Sequence, residues 1–123
     1  MSKVLIVEDE TLLSDVYSMV LNLNGFMTEV VGNGLEALEK LKTFEADIIL
    51  LDLLMPQMDG ITFLKTLRHD PTKHPKIIVY SNLLDSRKEE EVKSLGAVEI
   101  VLKSSLTPDG LVELVSSQVD TFN

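Results

Sequence analysis

Five short, largely aliphatic runs, at residues 4–7, 26–31, 47–51, 77–80 and 98–102, alternate with segments whose apolar residues recur at helical spacing. This alternation constrains the fold more than any other feature. Runs of four to six residues that do not alternate apolar with polar suit strands covered on both faces. Strand and helix in strict succession then lead to an α/β fold, a doubly wound five-stranded parallel sheet with right-handed crossovers, flanked by five helices.

The helical segments carry their own start and stop signals. Residues 11–24 place Leu12, Leu13, Val16, Val20 and Leu23 at helical spacing and end before Gly25, a left-handed stop. Asn33 reads as the cap of a second helix, with Glu36 reaching back and Leu35, Leu38 and Leu41 lining its inner face. Residues 60–69 form a third helix, with Ile61, Leu64 and Leu67 inward and Asp70-Pro71 as its stop. Ser86-Arg87-Lys88-Glu89 is a capping box that opens a fourth helix ending near Gly96, charged outside, with Val92 and Leu95 inside. Thr107-Pro108 supplies the cap and first-turn proline of a fifth helix, with Leu111, Leu114 and Val115 inward. The methionines read as core or loop filler. With 123 residues and no internal repeat, low-complexity segment or linker, residues 1–123 are expected to form one domain.

Charge narrows the function. A net charge of −9 argues against a nucleic-acid or phospholipid surface, because backbone phosphates need a basic patch, and it favours cationic ligands. The absence of cysteine removes disulfide and thiolate chemistry. No apolar stretch is long enough for a secretory leader or a membrane span, so a cytoplasmic protein is expected.

In an open parallel sheet, ligands sit beyond the C-terminal ends of the strands. Glu8 and Asp9 follow the first run, Asp52 the third, Ser81 the fourth and Lys103 the fifth. The second ends in Gly32-Asn33-Gly34, which offers no chemistry and suits an edge strand. Asp52 is the most informative, because it interrupts the oiliest segment, IILLDLLMPQMDG at 48–60. A buried unpaired carboxylate is costly, so the acid is expected at the exit of a central strand, where it meets solvent. Three crowded carboxylates raise one another's pKa, and a divalent cation such as Mg²⁺ relieves this. A hydroxyl and an ammonium facing such a carboxylate form a cradle for a phosphoryl group carried on the aspartate itself.

These residues, VLIVEDE at 4–10, ILLDLLMPQMDG at 49–60, IIVYSN at 77–82 and VLKSS at 101–105, strongly resemble the receiver domain of two-component response regulators. The resemblance covers essentially the whole chain. It implies a flavodoxin-like sheet of order 2-1-3-4-5. It also implies a phosphorelay role, in which Asp52 takes a phosphoryl group from a histidine kinase or phosphotransfer protein. Asp9, Asp52 and the Leu54 backbone carbonyl then correspond to Mg²⁺ ligands, and Glu8 to the acid that holds metal-bound water. Lys103 corresponds to the phosphate-pairing lysine and Ser81 to the switch hydroxyl, assisted by the Asn82 amide. Pro56, Asp59 and Gly60 correspond to the turn that shapes the acceptor loop. Such a protein catalyses only its own phosphorylation and dephosphorylation. Its output partner, or a second copy, engages the face of the fourth helix, fifth strand and fifth helix.

Three positions depart from the pattern. Ser104 stands where the family usually has proline after a cis bond, and a non-proline cis bond costs about 2.5–4 kcal/mol. Ile100 replaces an aromatic switch residue, and Asn82 replaces alanine or glycine. The phosphoryl chemistry should survive all three, and the relay of the signal is what they alter. Leu54 and Leu83 should flank the phosphate without positioning water, which predicts slow self-hydrolysis.

Each residue also has a plainer reading. Glu8, Asp9 and Glu10 favour a following helix N-terminus through its dipole. Lys103 can be a solvated strand end, and His69 and His74 are expected to be exposed in a polar loop. An aspartyl phosphatase is the competing enzyme class, but it needs an acid at position 54, where this chain has leucine. An interaction module that keeps only the fold is the other alternative.

Overall fold

The computed structural model describes residues 2–55, 57–70, 72, 74–82 and 85–119. The elements are β1 (Lys3–Val7), α1 (Thr11–Leu23), β2 (Met27–Val31), α2 (Gly34–Lys40), β3 (Ile48–Asp52), α3 (Gly60–Arg68), β4 (Lys76–Ser81), α4 (Ser86–Ser94), β5 (Ala97–Leu102) and α5 (Pro108–Ser117). The strands form one parallel sheet of order β2-β1-β3-β4-β5, the order the resemblance implies. β2 is an edge strand, as its chemically plain exit suggested.

Alternate residues of the central strands feed two separate cores. Leu5, Val7, Ile49, Leu51 and Val79 join Ala37, Phe63, Leu64 and Val92 of α2, α3 and α4. Val4, Ile6, Leu50, Ile78 and Tyr80 join Tyr17 and Leu21 of α1 and Leu111 and Val115 of α5. With both faces covered, β1 and β3 can be aliphatic almost throughout.

The caps hold in outline and differ in detail. The Asn33 side chain accepts from the Glu36 amide, and that of Thr107 from the Gly110 amide. Glu36 reaches back to the Gly32 amide, one residue before the cap. The fourth helix is capped by Asp85 and not by Ser86: the Asp85 carboxylate accepts from the Lys88 amide, which makes Ser86 the first helical residue. The α3 cap is Asp59, which accepts from the Thr62 amide at 2.8 Å. The Pro71 stop signal lies outside the described residues.

Helical periodicity located α1 and α2 but did not settle which apolar residues they bury. In α1 the buried residues are Ser14, Tyr17 and Leu21, whereas Leu12 (83% exposed), Val16 and Leu23 (78% exposed) face outward. In α2, Leu35 is exposed and Ala37 takes the inner position beside Leu38 and Leu41. Both helices carry more apolar residues than one face can bury, so spacing alone leaves the inward face open. Met19 and Met27 are likewise exposed, while Met55 and Met58 pack on the core as expected. His69 and His74 are both exposed.

Candidate functional site

The parallel register brings the strand exits to one rim. Val7 of β1 pairs with Val31 of β2 and with Leu51 of β3, so Glu8 and Asp52 leave adjacent strands at the same level. Asp52 pairs with Tyr80 of β4, and Ser81 pairs with Leu102 of β5, one residue before Lys103. The rim therefore collects Glu8, Asp9, Asp52, Ser81 and Lys103.

Their burial differs from the expectation in one respect. Asp52 does not reach solvent: it is the last residue of β3 and only 3% exposed, with Glu8 and Ser81 each at 1%. The carboxylate stays under the rim because partners there replace water. Asp52 Oδ1 accepts from the Leu54 amide at 3.1 Å, and Asp52 Oδ2 lies 2.9 Å from Lys103 Nζ. The same ammonium lies 3.1 Å from Glu8 Oε1 and 3.2 Å from Glu10 Oε1. Lys103 is thus an enclosed cation shared among acids, not a solvated strand end.

The backbone after Asp52 is equally constrained. A methyl group on Gly60 would lie 2.8 Å from the Leu53 Cα and 3.2 Å from the Asp52 carbonyl oxygen, so only glycine lets α3 start against the end of β3. The Gly60 amide donates to the Leu53 carbonyl at 3.1 Å, closing this loop. Gln57 adopts a positive φ of 64° within it, and its side chain accepts from Asn33 Nδ2 at 3.1 Å. Leu54 is half-exposed beside the acid. Pro56 and Leu83 lie outside the described residues.

Oxygen atoms of Glu8, Asp9 and Asp52 all lie within 4.8 Å of one another, with Asp9 on the solvent side. Hard oxygen donors from three acids at an open rim fit a divalent cation of the Mg²⁺ type. Burial and hydrogen bonding compete at two of the rim's charged groups. Burial pushes the Glu8 pKa above the ordinary carboxylate value; hydrogen bonds from the Glu10 amide, Tyr80 and Lys103 pull it back, and Asp52 adds repulsion. For Lys103, burial disfavours the charge, but hydrogen bonds to Asp52 and Glu8 outweigh it and raise the pKa, so the ammonium persists.

Two features of the site were not legible in the sequence. Tyr80, fully buried, donates its hydroxyl to Glu8 Oε1 at 2.9 Å, with its ring 5.7 Å from Lys103 Nζ. A tyrosine inside an aliphatic run reads as core, and nothing local announces its partner. Asn82 Oδ1 accepts from the Ser104 amide at 2.8 Å, so two departures from the family pattern meet in one hydrogen bond. A proline at 104 has no such donor. No cis peptide occurs among the described residues. Ile100 packs, partly buried, against the core that includes Val79, its partner across β4 and β5.

Sheet order and rim together define an open α/β domain that presents a buried aspartate, a carboxylate cluster and one enclosed lysine beyond its strand ends. The chain belongs to the response regulator receiver domain family, whose model matches residues 4–116. It is therefore a receiver domain of the kind found in two-component response regulators. It is 37% identical over 98% of its length to a protein-glutamate methylesterase/protein-glutamine glutaminase of Rhodospirillum rubrum, and covers 32% of that protein. It is 33% identical over 83% of its length to the regulatory protein AtoC of Escherichia coli, and covers 22% of it. The chain thus spans a third or less of these curated relatives. Among solved structures, chemotaxis protein CheY4 of Vibrio cholerae superposes with a TM-score of 0.88 at 28% identity, covering 97% of this chain and 99% of that one. The Francisella response regulator 1452 receiver domain gives 0.86 at 29% identity, covering 96% of each chain. No described helix is long and apolar enough to cross a membrane.

Proposed function

We propose that Asp52 is the phospho-acceptor of this receiver, with Mg²⁺ held by Asp9, Asp52 and the Leu54 backbone carbonyl, and by Glu8 through water. The observation that carries this reading is the position of Asp52: buried at the end of the central strand, 2.9 Å from the only cation at the rim among the described residues, and within 4.8 Å of Glu8 and Asp9 oxygens. A phosphohistidine of a histidine kinase or phosphotransfer protein supplies the phosphoryl group. The N–P bond breaks as an Asp52 carboxylate oxygen forms the new O–P bond, and the histidine leaves neutral after taking a proton. Mg²⁺, when bound, neutralises charge on the transferring oxygens. Lys103 pairs with the product phosphate, and the Ser81 hydroxyl and Asn82 amide approach it as the switch.

On this reading the chain turns over no separate substrate. The domain spans 1–123, works in the cytoplasm and makes no direct contact with nucleic acid. Its response is read on the α4–β5–α5 face by an output partner or a second copy. Incubation with Mg²⁺ and acetyl phosphate, followed by intact-mass measurement, tests the assignment. One phosphate adduct is expected on the native chain and none on Asp52→Asn; an adduct that survives the substitution sinks it. The half-exposed Leu54 offers no group to orient water, so slow self-hydrolysis is expected, and a phospho-protein lifetime of seconds contradicts it.

A further inference from the structure

We infer that Tyr80 is a positioning residue for the metal pocket: its hydroxyl fixes the Glu8 carboxylate in the orientation that Mg²⁺ binding requires. The inference deepens the reading of Glu8, Asp9 and Asp52 as a Mg²⁺ site and rests on it.

Glu8 is the first residue after β1, and its side chain has rotatable bonds that burial alone does not fix. Two donors do so. The Glu10 amide reaches Oε2 at 2.9 Å, and Tyr80 Oη reaches Oε1 at 2.9 Å. One donor on each oxygen defines both the position and the plane of the carboxylate. Lys103 cannot substitute, because its ammonium is a point charge divided among Glu8, Glu10 and Asp52.

Tyr80 itself is held rigidly. It is fully buried and pairs with Asp52 across β3 and β4. The edge of one ring meets the face of the other in a T-shaped contact with Tyr17, at 5.9 Å and 76°. Its ring lies 5.7 Å from Lys103 Nζ, so one side chain touches both charged groups that flank the acceptor. Its position belongs to the apolar cluster of Val4, Ile6, Leu50 and Ile78, where a phenylalanine ring would fill the same space. What tyrosine adds there is the hydroxyl, and the hydroxyl goes to Glu8. Hydrogen-bond partners of direct metal ligands typically alter affinity or activity 10–100-fold, and a partner of the water-holding Glu8 belongs at the low end of that range.

The test is isothermal titration of Mg²⁺ into the full chain and into Tyr80→Phe, Glu8→Gln and the double variant. Tyr80→Phe keeps the ring and removes one oxygen. Roughly tenfold weaker Mg²⁺ binding is expected. In the Glu8→Gln background the same substitution should change affinity less than twofold, because Tyr80 acts through Glu8. Equal affinity of Tyr80→Phe and the native chain overturns the inference, as does an undiminished Tyr80→Phe effect in the Glu8→Gln background. Native protein that binds no Mg²⁺ overturns both this inference and the site reading beneath it. A second measurement covers the case in which Tyr80→Phe does not fold. The chain has two tyrosines and no tryptophan, so Tyr17→Phe leaves Tyr80 as the sole tyrosine chromophore. Its ultraviolet difference spectrum should still respond to Mg²⁺; a silent spectrum in a variant that binds Mg²⁺ overturns the link.

Discussion

Glu8 and Asp52 follow or end β1 and β3, strands buried along almost their whole length, whereas Lys103 follows β5, whose residues are all half-buried or exposed. The acids are set in the core and held by several donors each. On the opposite side, Asn82, just after β4, meets Ser104 of the 3₁₀ turn Lys103–Ser105 through an exposed hydrogen bond. The contrast separates two tasks. Charges that must be positioned for phosphoryl chemistry are fixed by close packing. On the proposed function, the segments that respond to phosphorylation would be those tied by bonds that cost little to break.

The largest effect should come from removing the one group that spans both sides. Lys103→Met leaves Glu8 and Asp52 buried without their cation, and uncompensated buried charge costs about 3 kcal/mol. Urea unfolding at neutral pH without Mg²⁺ should register this loss, and added Mg²⁺ should restore part of it. An unchanged midpoint would show that the acid side is not held as described. Gly60→Ala tests the packing of that side without touching charge. A methyl group 2.8 Å from the Leu53 Cα must displace backbone, so destabilisation of about 2 kcal/mol is expected, together with slower phosphorylation from acetyl phosphate.

Glu8 gives a pH signature. Its folded pKa lies above 4.5 because burial disfavours the charge. The folded state therefore holds the proton at pH values where the unfolded chain has released it, and stability falls as pH rises from the ordinary carboxylate value through the folded one. In metal-free buffer, native protein should gain stability on mild acidification relative to Glu8→Gln; parallel curves would contradict this.

The smallest effect belongs to the loose side. Asn82→Ala should cost about 0.5–1 kcal/mol and leave Mg²⁺ affinity unchanged. Because the bond needs the Ser104 amide, Asn82→Ala in a Ser104→Pro background should cost almost nothing further. A double-mutant cycle on urea midpoints measures that coupling.

What the sequence shows and what it hides have different physical origins. Strand exits were legible because a run of aliphatic residues ending in a charge can place that charge only near the sheet rim. Thr107 and Asn33 were legible as caps because the donor–acceptor pair is local. The α4 cap moved to Asp85 because both Asp85 and Ser86 suit the role, and local chemistry does not choose between them. The outward turn of Leu12, Leu23 and Leu35 was not legible, since spacing gives a period and not a phase when several faces are apolar.

The sequence alone therefore determined the alternation of strand and helix, the parallel sheet and the polar residues that arrive at its rim, because each follows from patterns a few residues long. Tertiary structure decided the rest: that Asp52 lies beneath the rim, that Lys103 is shared among three acids, that Tyr80 grips Glu8 and that Asn82 reaches Ser104. The last three join residues more than twenty positions apart, through distances that the sheet register and side-chain packing set together.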